Sequence, residues 1–184
     1  MAAAWRRAQP DVPVLELRQG QEHAGGEDGG AAAAQGMRGV REVINAVAFI
    51  VPGDPQGKGR ARVGTIAGHA RMFTPAKTVA YEGLIALAAR TAMGRTLPFD
   101  GACTVEVDAV FAVPQSWSKK KRAEALAGVL RPTKKPDGDN VLKAVCDGIN
   151  GIVWADDAQA VDQRIRKVYG ERAELRVRVA GVDA

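Results

Sequence analysis

The sequence predicts an α+β domain, a mixed β-sheet with helices packed on it in the order β-α-β-α-α-β-β. Three observations carry this. Residues 103–113 and 173–180 alternate apolar and polar side chains with period two, as half-buried strands do. Residues 76–93 and 139–150 instead repeat apolar positions at helical spacing. Finally, the helical runs fall between strands and two strands close the chain in succession, which argues a mixed sheet ending in an antiparallel pair.

Taken in order, residues 1–38 are read as a flexible extension, because 20–36 are a Gly/Ala-rich run without bulky apolar groups to offset the entropy of ordering. The domain proper is expected over 39–184. Residues 43–51 are a β-branched apolar run stopped by Pro52-Gly53, hence a first strand. Residues 53–73 read as a basic, glycine-rich loop. Thr74-Pro75 supplies a cap and a proline for the first helical turn, opening a helix to Met93 with Tyr81, Leu84, Ile85 and Ala88 on its inner face. The strand at 103–113 places Val105, Val107, Ala109 and Phe111 on one side and ends at Pro114. Ser118 caps a short basic helix over 119–128. Asp137-Gly138-Asp139 opens the next helix, with Val141, Leu142, Val145 and Ile149 as its stripe and Asn150-Gly151 as its stop. Strands near 159–169 and 173–180 follow, the last alternating Leu175, Val177 and Val179 with Arg176 and Arg178.

At 184 residues the chain has length for one domain with a core, and 46% hydrophobic and 26% charged residues match a globular composition. The charge is uneven. Residues 1–36 hold three Lys/Arg and five Asp/Glu, leaving 23 bases and 16 acids, a net +7, for the remainder. Such an excess favours polyanionic partners, nucleic acid before acidic membrane. Cys103 and Cys146 lie far apart with no Cys/His cluster near them, so they read as buried thiols in a reducing compartment. No apolar run reaches the roughly 20 residues of a membrane span. Arg6 and Arg7 have no apolar stretch behind them, as a secretory signal would. A cytoplasmic protein is expected.

The chemistry concentrates in Lys135-Pro136-Asp137-Gly138-Asp139-Asn140-Val141-Leu142-Lys143-Ala144-Val145-Cys146-Asp147. Asp139 and Lys143 lie about 40° apart on the helix, with Asp147 a turn further along the same polar edge. On an ordinary helix these residues would be an N-cap and a surface ion pair of a few tenths of a kcal/mol. Here the carboxylates are doubled across one glycine, and a second doublet, Asp156-Asp157, follows shortly. Clustered like charges cost free energy unless a cation offsets them, and magnesium takes oxygen ligands of this kind. A chain folding back after the helix would return Asp157 to the level of Asp137 and Asp139. Three carboxylates with a nearby lysine, Lys143, would then offer what metal-assisted phosphodiester hydrolysis requires.

Other schemes fit less well. His23 and His69 cannot build a triad or a zinc site; His69 reads as a loop residue or phosphate contact. Gly53-Asp54-Pro55-Gln56-Gly57-Lys58-Gly59 has three residues between glycines where a nucleotide-binding loop has four, and Gly59 where Ser or Thr is needed. Basic residues frame the acidic motif: Lys58, Arg60, Arg62 and Arg71 in the first loop, and Arg131, Lys134 and Lys135 immediately before it. They are candidates for holding nucleic-acid phosphates, although charge runs of this kind also serve as solvated surface. Trp117 and Trp154 are expected in the core.

The run Lys135 to Lys143, then Asp147-Gly148-Ile149-Asn150-Gly151, then Asp156-Asp157-Ala158-Gln159 resembles the RusA family of Holliday-junction resolvases, endonucleases common in prophages. The resemblance extends more weakly to 49–53, the basic loop and the Phe73-to-Tyr81 segment, covering roughly 43–180. It implies a symmetric homodimer that binds branched DNA, a four-way junction, and makes paired nicks in strands of like polarity with Mg2+ or Mn2+, in DNA recombination and repair. The family's catalytic aspartates match Asp137, Asp139 and Asp157, which would also hold the metal, and its essential lysine matches Lys143. Its basic residues correspond loosely to Arg131, Lys134 and Lys135. Gly138 departs from the larger residue usual there, and 114–130 is longer than in the shortest members. Three other readings of the same residues stay open: a non-catalytic branched-DNA-binding protein, a broader magnesium nuclease acting on flaps and forks, and a protein-interaction module.

Overall fold

The computed structural model describes residues 14–16, 45–66 and 69–182. Along them run β1 (Val14–Glu16), β2 (Ala46–Pro52), β3 (Arg62–Ile66), β4 (His69–Phe73), α1 (Ala76–Met93), β5 (Cys103–Ala112), α2 (Lys119–Leu126), α3 (Gly138–Ile149), β6 (Ala160–Gly170) and β7 (Glu174–Gly181). The expectation of a flexible extension over 1–38 lies outside the described residues except for β1, which pairs in parallel with β2.

The expected mixed α+β architecture is present. Its main sheet has the order β1-β2-β7-β5-β6. β5 and β6 are parallel, and the 113–159 connection between them is long enough for the crossover that parallel neighbours require. β7 runs antiparallel to both β2 and β5. The expected antiparallel pairing of the last two strands is therefore corrected: residues 171–173 step over the end of β5, just past which the Val113 N–H donates to the Gly170 carbonyl at 3.0 Å. Side-chain character explains the swap. Leu175, Val177 and Val179 are fully buried and suit a central strand, whereas residues 161–164 are exposed and suit an edge.

A second correction concerns the loop at 53–73, which contains a separate hairpin, β3 with β4. Its described side chains lie largely outside the core, Val63 and Met72 being 72% and 73% exposed, so it carries none of the buried alternation that marks a strand in sequence.

α1 and α3 pack together on one face of the sheet. Phe49, Val107, Leu175 and Val177 form the sheet side of the core, and Tyr81, Ile85, Val141, Val145 and Ile149 the helix side. The helices approach closely at Gly148, where a Cβ would come within 2.9 Å of Ile85 Cγ2 and 3.2 Å of the Glu82 carbonyl. α1 begins with Pro75 at its cap and no side-chain hydrogen bond, so Thr74 does not cap it as expected. Leu84, expected on the inner face, is 47% exposed, and Ala89 and Met93 fill that face instead. Leu142 is half-buried at the margin of the α3 stripe. Ser118 does cap α2, accepting from the Lys121 N–H at 3.3 Å. Trp154 is wholly buried, while Trp117 is half-buried and meets Tyr169 edge to face with ring centroids 5.3 Å apart. Both cysteines are free and buried.

The opposite face of the sheet carries charge. Arg166 donates to Asp108 through Nε at 2.7 Å and Nη2 at 3.3 Å, and Arg176 lies 2.5 Å from Glu174. Pairing is what permits Asp108 and Arg176 to be buried at all.

Candidate active site

Asp137 is extended (φ −70°, ψ 147°) and occupies the cap position of α3, yet its carboxylate makes no capping hydrogen bond. Asp139 follows in the first turn. Both are exposed, and neither carboxylate has an ion-pair or hydrogen-bond partner among the described residues. The positive end of the helix dipole favours two carboxylates here, which lowers the cost of their proximity. Gly138, between them, sits over β6: an added Cβ would meet Ile165 Cγ2 at 3.4 Å, an ordinary contact. There is therefore room for a Cβ at this position.

The second acidic doublet divides its labour. Asp156 caps a short 3-10 turn, Asp157–Gln159, by accepting from the Ala158 N–H at 2.9 Å. Gln159 fastens the same turn: its Oε1 accepts from the Ala155 and Asp156 N–H groups, and its Nε2 donates to the Phe99 and Gly101 carbonyls at 2.9 Å each. Asp157 is left half-buried, with no side-chain partner among the described residues.

Asp157 flanks α3. Burial first, then the Asp157 and Asp147 carboxylates, push the Cys146 thiol up to about 11. Cys146 lies seven residues beyond Asp139, two turns along the same helix face. Among the described residues no three His, Cys, Asp or Glu side chains are gathered into a ready-made metal cage. The structure thus places Asp137 and Asp139 at the start of α3, while the expected convergence of Asp157 with them into one cluster is not formed among the described residues. The donor chemistry fits magnesium, which binds through one or two carboxylates and keeps several waters. Asp137, Asp139 and Asp157 are hard oxygen donors not engaged elsewhere among the described residues.

Lys143 projects from the same helix and is 58% exposed. Its ion-pair partner is Asp147, at 3.6 Å, and not Asp139. Lys58 is also engaged with acids: its ammonium bonds Asp147 and lies 3.5 Å from Glu82. The hydrogen bond it donates to Asp147, chiefly, holds the Lys58 pKa above its ordinary value. This placement differs from the free phosphate contact expected of Lys58. Neither Asp147 nor Glu82 stood out in the sequence as its partner, and the link to Asp147 spans 89 residues.

The other basic candidates with described side chains are exposed. Arg60 lies in the loop, Arg62 opens β3, and Arg71 is exposed on β4 opposite Gly64. Arg131, Lys134 and Lys135 are all exposed just before the acidic turn. Lys134 stands over the Phe111 ring at 5.3 Å and its carbonyl accepts from Lys167, itself 5.7 Å from that ring. Lys167 is a basic neighbour of the site that the sequence motif did not contain. Lys121 similarly covers Trp117 at 4.1 Å.

Exposed carboxylates at a helix start, with exposed basic residues just before them, can receive a cation and a polyanion. Comparison with known proteins agrees. The profile of endodeoxyribonuclease RusA matches residues 52–180, which contain every candidate site residue. A Bacillus subtilis (strain 168) chain, the uncharacterized protein YqaN, is 35% identical over 143 residues, spanning 77% of this chain and 100% of that one. The chain belongs to the RusA family of endodeoxyribonucleases.

Proposed function

We propose that the protein is a magnesium-dependent endonuclease that resolves four-way DNA junctions by paired nicks, acting as a homodimer. One observation carries the site assignment. Within both acidic doublets and α3, the three aspartates that match the family's catalytic positions are the ones without partners among the described residues, while Asp147 and Asp156 are held by lysines and backbone N–H groups.

Asp137, Asp139 and Asp157 would hold the metal, which when bound supplies Lewis acidity and a water of lowered pKa. The remaining work belongs to the chain. Lys143 presents a positive charge where negative charge develops on the phosphate, and such a preplaced charge acts most strongly in the transition state. Arg60, Arg62, Arg71, Arg131, Lys134 and Lys135 bind the neighbouring phosphates and fix the strand's register without reading its bases.

The test is a synthetic immobile four-way junction. The purified protein should convert it to nicked linear duplexes when magnesium is present, and Asp139→Asn should abolish cutting while retaining binding. An intact junction after incubation with wild-type protein removes the catalytic reading and leaves a junction-binding protein. Equal cutting of linear duplex, flaps and forks removes the junction selectivity. Sedimentation of the protein at micromolar concentration as a monomer removes the homodimer.

A further inference from the structure

Lys58 lies in the loop between β2 and β3, and that loop is clamped to both helices. Its N–H donates to the Asn140 carbonyl in the first turn of α3 at 2.8 Å. Gly57 fits so closely that a Cβ there would come within 2.9 Å of Asn140 Cβ and 3.1 Å of Pro136 Cβ. The Gly59 N–H donates to Thr78 Oγ1 on α1 at 3.1 Å. The Lys58 side chain therefore starts from a fixed origin beside the acidic turn.

From there its ammonium engages Oδ2 of Asp147 and approaches Glu82 at 3.5 Å, while Oδ1 of Asp147 lies 3.6 Å from the Lys143 ammonium. The inner members are sheltered, with side-chain exposures of 30% for Lys58, 21% for Glu82 and 23% for Asp147, against 58% for Lys143. A carboxylate shared by two ammonium groups engages each through one oxygen. With Lys58 neutral, both Asp147 oxygens become available to Lys143, which is then drawn back along the helix toward Asp147. With Asp147 neutral, Lys143 loses its tether.

We infer that Lys58 is a positioning residue: by occupying one oxygen of Asp147 it sets where the Lys143 ammonium stands, and it does not hold a DNA phosphate. The inference rests on the proposed role of Lys143. It explains why a lysine in a basic loop is turned inward, onto two acids of α1 and α3, when its neighbour Arg60 is exposed.

The experiment uses the full chain carrying Lys58→Met, Lys58→Arg, Asp147→Asn or Lys58→Met with Asp147→Asn, each checked for folding by a thermal melt. Affinity for a four-way junction is measured in EDTA across a salt series, and cleavage under single-turnover conditions in magnesium. Lys58→Met should leave the slope of log K against log salt unchanged and slow cleavage at saturating protein by between about tenfold and a hundredfold, the scale expected when a reacting group is displaced by about an ångström. Lys58→Arg should restore most of the rate. The double variant should be no slower than Asp147→Asn alone, since both changes act through one tether.

A slope flattened by about 0.9 in Lys58→Met, the value of one lost phosphate contact, overturns the inference. So does an unchanged cleavage rate at saturation, or additive losses in the double variant. Should Lys58→Met not fold, Lys58→Gln is read by the same criteria. If wild-type protein itself leaves the junction intact, the proposed function fails, and the salt slope alone still decides whether Lys58 holds a phosphate.

Discussion

The two ends of α3 use the same residue types in opposite ways. At the start, Asp137 and Asp139 are exposed and make no ion pair among the described residues, and Gly138 has room for another carbon. Near the far end, Asp147 holds two lysines and Gly148 has no room at all against Ile85. Charge at the first end is available to a ligand, whereas charge at the second is spent within the protein. The comparison teaches that pairing state distinguishes acids that position in a motif does not, because both sets lie on one twelve-residue helix or its cap.

Substitutions should break along the same line. After the loss of cutting expected of Asp139→Asn, the largest effect is expected midway, at Lys143. Lys143→Ala should slow single-turnover cleavage by about 10²–10³-fold, the cost of removing one preorganised charge from a transition state. Magnesium affinity, followed by titration calorimetry, should barely change; loss of metal binding would show that the lysine organises the acids instead. Next is Gly148→Ala, which forces a methyl into the α1–α3 contact and should cost about 1–3 kcal/mol in urea unfolding.

Tyr81, on α1, sharpens the structural end of the comparison through pH. Burial, with a smaller contribution from the Asp54 charge, pushes its hydroxyl up to about 12. The unfolded chain ionises this group first, near 10, so its stabilisation is intact below pH 10 and is lost as pH rises toward 12. Tyr81→Phe should therefore flatten the alkaline fall in unfolding free energy, followed by urea titration, by an amount on the order of 2 kcal/mol at the top of that range. The smallest effect belongs to Gly138→Ala. The same chemical change that damages the far end should stabilise the near end by about 0.4–1 kcal/mol, chiefly through the unfolded state, with the cleavage rate unaltered.

Much of the fold was legible because buried periodicity reports itself. Val105, Val107 and Ala109 announced β5, and Val141, Val145 and Ile149 announced α3, since each needed one face hidden. The β3–β4 hairpin was not legible, because its strands pair with each other and leave Val63 and Met72 in solvent. Nor was the strand order: pattern alone shows that residues 173–180 form a strand, not that it slots between β2 and β5. For the site, the acidic residues stood out by spacing and resemblance. Their division into free and engaged groups did not, because it depends on Lys58 and Gln159, whose partners lie 89 and 58–60 residues away.

Gln159 shows how far such a dependence reaches. One primary amide joins the turn bearing Asp157 to the Phe99–Gly101 bend through two donated and two accepted bonds. The bend holds none of the family-matched acids, yet it acts as the abutment against which Asp157 is seated. Lengthening or shortening that bend should be inherited by the aspartate as a displacement. The distant, chemically silent turn is thus constrained by the same tolerance as the residue it supports.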